Sequence, residues 1–233
     1  MREVDDGPDV GAGAAWAIVA AAGSGERLGL ERPKAFAALA GRPLLAESVE
    51  RLDRCPWIDG LVVAAPPGWE EPAILLAEEV AASKVAACVT GGSTRAESVR
   101  AGMAEVPEDV LVVLVHDAAR PLVTDALVER VLAPLSEGFD GVVPALEVTD
   151  TLKRVEGREV VETVPRDGLV RAQTPQAFLA RTLRSALAGD LASATDCASL
   201  VERRGGRVAI VEGDPKLVKI TTPADLRLVE TWV

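Results

Sequence analysis

Between Ala17 and Lys34 the chain reads AIVAAAGSGERLGLERPK. Gly23 and Gly25 close an apolar run, and Arg27, Pro33 and Lys34 follow them. Glycines directly after a strand let backbone N–H groups come close to an anion. Two cations beside such a nest suit a run of phosphates. Two familiar phosphate loops do not fit. The P-loop needs four residues between its glycines and then Gly-Lys-Ser/Thr, which this stretch lacks. The dinucleotide fingerprint needs G-x-G-x-x-G, whereas Gly29 comes one residue late and Pro33 interrupts the helix that would have to begin there. Asp117 stands just beyond the run VLVVLV. A carboxylate at the carboxyl end of a strand can serve a metal ion or a ribose hydroxyl, or simply cap the next turn.

The groups that would hold phosphates must be carried by a scaffold, and its pattern is regular. Short β-branched runs at 16–21, 58–65, 84–90, 110–115, 141–146, 206–212 and 217–220 predict strands. Their unbroken apolar character fits strands covered on both faces. Helical patterns lie between them. Leu44, Leu45, Ser48, Val49 and Leu52 share one face of a helix over 43–54. Thr94 and Glu97 have capping-box spacing, and Thr222-Pro223 opens the last helix with an N-cap and a proline behind it. This βα rhythm predicts an α/β sandwich around a mostly parallel sheet. One segment departs from it. Residues 147–168 alternate apolar and polar side chains and turn at Glu156-Gly157, a β-hairpin. Two strands alone are marginal in water, so the hairpin needs support from its own domain or from a second subunit.

The bulk numbers narrow the class. The chain has 233 residues, 48% of them hydrophobic, enough for a sizeable core. Its net charge of −11 argues against a broad nucleic-acid footprint. Any anionic ligand must be held by local positive charge. Cys55, Cys88 and Cys197 show neither zinc spacing nor a disulfide framework. With apolar runs far short of the ~20 residues of a membrane span and no signal-peptide order at the start, a reduced, cytoplasmic chain is expected. Residues 1–15 read as a flexible acidic tail and 16–233 as a single domain.

The residues also carry a resemblance. Ala-Ala-Gly-x-Gly-x-Arg followed by Pro-Lys resembles the nucleotide loop of sugar-phosphate-type nucleotidyltransferases. GGSTRAESV (91–99), VLVHDAARPLV (113–123), AQTPQAF (172–178) and KITTPADL (219–226) follow in an order similar to that of the 2-C-methyl-D-erythritol 4-phosphate cytidylyltransferase family. The stretch DTLKR (150–154) is similar too. The resemblance implies a Rossmann-like three-layer sandwich with a protruding β-hairpin arm. It also implies an enzyme of the non-mevalonate isoprenoid pathway. A phosphate oxygen of the acceptor attacks the α-phosphorus of CTP and pyrophosphate leaves. Such chemistry needs alignment and charge neutralisation, with Mg²⁺ or another divalent cation, rather than a nucleophilic side chain.

Carried over position by position, the resemblance makes Lys34, Lys219 and Arg27 the catalytic cations. Ala21, Ala22, Gly23, Gly25, Gly91, Gly92, Ser98, Asp117 and Ala118 surround CTP. Thr151, Arg166, Arg120 and Asp117 face the polyol phosphate, and Asp117 serves the metal. The hairpin 147–168 becomes an arm that crosses to a second subunit in a homodimer, bringing Thr151 and Arg166 to the partner's site. His116 is expected as a packed neighbour. Three positions depart from the family pattern: Ala20 for a common proline, Ser93 for an aspartate found in some relatives, and Cys197 where an acidic residue is frequent. The nearest alternative keeps the chemistry and changes the acceptor to ribitol or another pentitol 5-phosphate. A non-catalytic nucleotide-binding module is a further alternative, disfavoured by the joint presence of Arg27, Lys34, Asp117 and Lys219. A nicotinamide-dependent dehydrogenase is disfavoured by the glycine spacing and by Pro33-Lys34.

Overall fold

The computed structural model describes residues 15–29, 32–192 and 194–233. The tail read over 1–15 lies outside them except for Ala15, which already belongs to a strand. The chain runs β1 (Ala15–Ala20), two tight turns at Glu26–Leu28 and Lys34–Phe36, and the two-residue strands β2 (Ala38–Leu39) and β3 (Arg42–Pro43). It continues through α1 (Leu44–Arg54), β4 (Ile58–Ala65), α2 (Glu70–Glu79), β5 (Val85–Thr90), α3 (Arg95–Met103), β6 (Val112–Asp117), α4 (Asp125–Leu132) and β7 (Gly141–Glu147). Then come β8 (Leu152–Glu156), β9 (Glu159–Val164), β10 (Val170–Ala172), β11 (Gln176–Leu179), α5 (Ala180–Leu187), α6 (Cys197–Glu202), β12 (Val208–Glu212) and α7 (Pro223–Glu230).

The main sheet has the order β5-β4-β1-β6-β11-β7-β12, with β10 also on β7. All of its long strands are parallel; only β10 and β11 run against them. Alternate side chains of one strand enter two different cores, as the twofold period of a strand requires. Val19, Val63 and Leu114 face the helix α1, through Leu45, Val49 and Leu52, and α4, through Leu127 and Val131. Ile18, Val62, Val113 and Val115 face α3, α5 and α6, through Val99, Leu183 and Leu200. Each fully buried Val or Leu contributes on the order of 1.5–3 kcal/mol of transfer free energy. These two cores make the sheet the middle of three layers.

A third, smaller core lies under the carboxyl end of the sheet. Leu28, Ala37, Leu39, Leu122, Ile220 and Val229 pack together there. It ties the glycine turn, the segment after Lys34 and the last helix into one unit.

The caps follow the sequence expectation. The Thr94 side chain accepts from the Glu97 N–H while Glu97 accepts from the Thr94 N–H. Thr222 and Asp225 repeat this arrangement, with Pro223 at the first helical position. The hairpin forms as a separate two-stranded sheet turning at Gly157, whose φ is +59°. It has almost no core of its own: Val155 and Val160 are 57% and 55% exposed.

Two expectations need correction. Residues 217–220 are not a strand. The segment joins the rest of the chain by a turn bond from the Leu217 N–H to the Asp214 carbonyl and one bond from the Ile220 N–H to the Ala119 carbonyl. β-branched composition there serves the third core rather than a ladder. The antiparallel insertion of β10 and β11 beside β7 is the second difference, since neither was read as a strand. Among the described residues, no helix is long and apolar enough to cross a membrane.

Candidate active site

The chain leaves β1 for β4 and β5 on one side, then returns to β6 on the other side of β1. That reversal opens a crevice beyond the carboxyl ends of β1 and β6, where open α/β sheets bind ligands. Ala20 and Asp117, the last residues of the two strands, are register partners. A cavity of about 680 Å³ occupies this crevice. Gly23, Lys34, Gly91, Gly92, Asp117 and Lys219 all line it. A larger hollow of about 1000 Å³ runs along α5 and the end of α6. It includes Asp140, just before the amino end of β7, and no carboxyl end of a parallel strand reaches it. The smaller cavity is therefore the chemical candidate.

Glycines shape its walls by what they leave out. A Cβ on Gly25 would lie 2.7 Å from the Lys34 Cβ, and Gly25 has φ +75°. Gly25 therefore lets the turn fold directly onto Lys34. A Cβ on Gly91 would lie 2.4 Å from the Ala22 Cβ, and one on Gly92 would lie 2.3 Å from the Glu97 Cβ. The two glycine loops are thus pressed together. At Gly23 no atom of the described residues beyond its chain neighbours lies within 4 Å of an added Cβ, so an added side chain would intrude into the cavity that Gly23 lines. The buried Ser98 hydroxyl accepts from the Gly92 N–H at 3.1 Å and donates to the Thr94 carbonyl at 2.9 Å. Behind the cavity, the Ala21 N–H donates to the Ala64 carbonyl and the Ala118 N–H to the Ala20 carbonyl.

Asp117 is the electrostatic centre. Only 6% exposed, it accepts at Oδ1 from Arg95 Nε at 2.7 Å and at Oδ2 from Lys219 Nζ at 2.8 Å. Burial alone would favour the neutral acid, but the Arg95 and Lys219 charges hold its carboxyl well below the usual carboxylate range. Burial works against the Arg95 charge as well, and Asp117 together with Cys197 more than restores it. The Asp117 N–H donates to Thr174 Oγ1 at 3.0 Å. Thr174 in turn lies 3.3 Å from His116 Nδ1, and His116 Nε2 lies 3.0 Å from the Arg120 carbonyl. A carbonyl only accepts, so Nε2 carries the proton and Nδ1 receives the Thr174 hydroxyl. Complete burial pushes this imidazole down to about 4, so it is neutral.

A cavity of this kind, lined by two glycine loops, two lysines and a cation-paired aspartate, suits a triphosphate. The family model described as 2-C-methyl-D-erythritol 4-phosphate cytidylyltransferase matches residues 15–233. The chain belongs to this family. A curated member from Nocardia farcinica is 47% identical over 220 residues, covering 94% of each chain. The crystal structure of the Thermus thermophilus protein of that name is 34% identical with a TM-score of 0.75, covering 93% of this chain and 96% of that one. The Francisella tularensis structure is 28% identical with a TM-score of 0.80, covering 94% and 99%. The Rossmann-like α/β reading of the sequence stands with the family.

The cytidylyltransferase cavity gathers most, but not all, of the residues chosen from sequence. Ala21, Ala22, Gly23, Lys34, Gly91, Gly92, Ser98, Asp117, Ala118 and Lys219 line it, and Gly25 supports Lys34 from behind. Arg27 stands in the turn Glu26–Leu28, with its side chain outside the described part. Arg120 does not line the cavity. It donates from Nη1 to the Leu217 carbonyl at 2.8 Å and from Nη2 to the Ala172 carbonyl at 3.4 Å, so its terminal nitrogens brace main chain instead of facing an acceptor phosphate. Thr151 and Arg166 lie on the exposed hairpin and line no part of this cavity; Arg166 bonds the Thr149 carbonyl. The metal role read for Asp117 meets a carboxylate already engaged at both oxygens. Among the described residues no group of three or more His, Cys, Asp or Glu could hold a metal ion.

Sequence reasoning missed Arg95 and Thr174. Arg95 is the first residue of α3, where the helix dipole favours an acidic side chain. An arginine in that position was the available signal. Arg95 Nη1 also reaches Cys197 Sγ at 3.5 Å. Burial pushes that thiol up, so it stays neutral, and Asp117 is the one charged partner that the described residues give Arg95.

Proposed function

We propose that this chain transfers CMP from CTP to 2-C-methyl-D-erythritol 4-phosphate, giving 4-diphosphocytidyl-2-C-methyl-D-erythritol and pyrophosphate. An oxygen of the acceptor phosphate forms the new bond to the α-phosphorus. The bond from that phosphorus to the bridging oxygen of the β-phosphate breaks, and pyrophosphate carries the electron pair away. No side chain need become a nucleophile. The observation that carries the reading is that Lys34 and Lys219 border one cavity from opposite ends of the chain, beside two glycine loops.

In this reading the main chain at Ala21–Gly25 cradles the triphosphate, with Arg27 and Lys34 supplying positive charge. Gly91, Gly92 and Ser98 approach the base and ribose. Lys34 and Lys219 neutralise charge that builds up at the α-phosphate as the fifth bond forms, which is the kind of interaction that raises kcat. Asp117 keeps Lys219 aimed. The donor set is too poor in carboxylates for a resident metal. The divalent cation is read as entering on the triphosphate, whose oxygens would supply most of its ligands, and it would neutralise phosphate charge there. Thr151 and Arg166 act on the acceptor of a second subunit, Arg166 gripping its phosphate with a two-pronged guanidinium. The enzyme is read as a cytoplasmic homodimer with composite sites.

The test is pyrophosphate release from CTP and Mg²⁺, with 2-C-methyl-D-erythritol 4-phosphate and ribitol 5-phosphate offered separately. Release with the first acceptor alone is expected. Release with ribitol 5-phosphate alone would keep the mechanism and overturn the acceptor.

A further inference from the structure

We propose that Gln173 is a positioning residue for nucleotidyl transfer, fixing Lys219 through the main chain that carries it. The inference rests on the role proposed above for Lys219. That lysine stands on a segment without a strand partner, so its placement must come from elsewhere. On one side of it the Ile220 N–H is held by the Ala119 carbonyl at 2.8 Å. On the other side the Leu217 carbonyl accepts from Gln173 Nε2 at 3.3 Å and from Arg120 Nη1 at 2.8 Å.

Gln173 does more than contribute one bond. Its Nε2 also donates to the Asp214 carbonyl at 2.9 Å, and its Oε1 accepts from the Asp214 N–H at 2.9 Å. The side-chain amide thus pairs with the Asp214 main chain as a neighbouring strand would. Gln173 is 5% exposed, and its own N–H is anchored on the Pro144 carbonyl at 2.7 Å, in β7. A rigid sheet strand therefore holds the turn at Asp214, and that turn holds the lysine. Gly213 makes room for this. A Cβ there would lie 2.3 Å from Gln173 Oε1. Gln173 does not line the cavity, so it acts only through Lys219. The Arg120 bond is a second brace on the same carbonyl, which accounts for that arginine's turning away from the cavity.

Gln173→Met keeps the shape and removes every polar contact. Gly213→Ala leaves the glutamine in place and crowds its amide most closely, at 2.3 Å from Oε1, with the Ala145 carbonyl next at 3.0 Å. Small misplacements of a reacting group cost up to about 10²-fold in rate, so both variants should lower kcat about 10- to 100-fold with KM for CTP held within about twofold. In a Lys219→Gln background, neither change should lower kcat further, because the group being positioned is gone. Multiplicative losses in that background would overturn the proposal, as would a rise in KM at unchanged kcat. If Lys219→Gln collapses turnover while Gln173→Met and Gly213→Ala are both normal, this inference alone fails. If Lys219→Gln is itself fully active, the reading of Lys219 fails and takes this inference with it. Folding is checked by thermal melts, and Gly213→Ala, which removes no buried hydrogen-bonding group, keeps the test decisive should Gln173→Met not fold.

Discussion

The strand ends and the hairpin arm are built on opposite principles. At the carboxyl ends of β1 and β6, Asp117, Arg95 and Lys219 are interlocked, and the Asp117 N–H is bonded to Thr174 within the same chain. On the arm, Val155, Val160 and Val161 face outward, and a cross-strand ion pair of Arg154 with Glu162 lies in solvent. An exposed pair of this kind contributes at most about 1 kcal/mol. The first region is finished by its own sequence. The second carries apolar surface that none of the described residues covers. The contrast teaches that the cavity should respond to mutation as part of the core, and the arm, on the dimer proposed above, as part of an interface.

The sharpest way to break that contrast is Asp117→Asn. Removing one partner of a buried ion pair leaves charge uncompensated and costs about 3–5 kcal/mol. The expected outcome is a large drop in stability on denaturant titration together with loss of turnover. A stable variant would mean that the strand ends are less tightly coupled than their geometry implies. Lys34→Met should then separate chemistry from folding. Loss of one stabilising charge at the transition state costs about 10²- to 10³-fold in kcat, with a smaller fall in melting temperature than Asp117→Asn gives, as pyrophosphate release and a thermal melt would register.

The neutral His116 gives a pH handle on the same region. An unfolded imidazole titrates near 6.5 and the folded one near 4. Between these values only the unfolded chain takes up the proton, so stability falls as pH drops from 6.5 to about 4 and then levels off. The difference amounts to about 3 kcal/mol. Asp117 adds its own dependence: its contribution is complete above the ordinary carboxylate pKa and is lost only as pH falls through its lower folded value. Urea titrations of the parent and of His116→Asn across roughly pH 4–7, the range that an ordinary imidazole and a depressed one span, should show the slope in the parent and its absence in the variant. The smallest effect belongs to the arm. Arg166→Ala should raise KM for the polyol phosphate about tenfold, the cost of one charge-assisted hydrogen bond, with no change in melting temperature. A large stability loss there would erase the distinction between the two regions.

How much of this was legible in the sequence depends on whether the signal is local. The capping box at Thr94 and Glu97, the Thr222-Pro223 start of α7 and the turn at Gly157 are encoded within a few residues and stand as expected. The glycine loops were legible because spacing alone restricts backbone approach. The segment 217–220 misled because β-branched residues also suit a small core. β11 has four residues, too few to separate from a loop by period. Arg95 was missed because its partner, Asp117, is reached only after the chain has folded, and nothing in the intervening residues announces the pair. Gln173 was invisible for the same reason, since its partner Asp214 lies 41 positions further along.

The small core under the cavity has a consequence for how the protein comes into being. It joins Leu28 and Ala37, from the first turns of the chain, to Ile220 and Val229, from its last helix and the segment before it. The glycine turn therefore settles only once residues far along the chain have closed onto it, a contact that must overcome the entropy of a long loop. Changes in α7 should therefore loosen the glycine turn and the segment that carries Lys219 together.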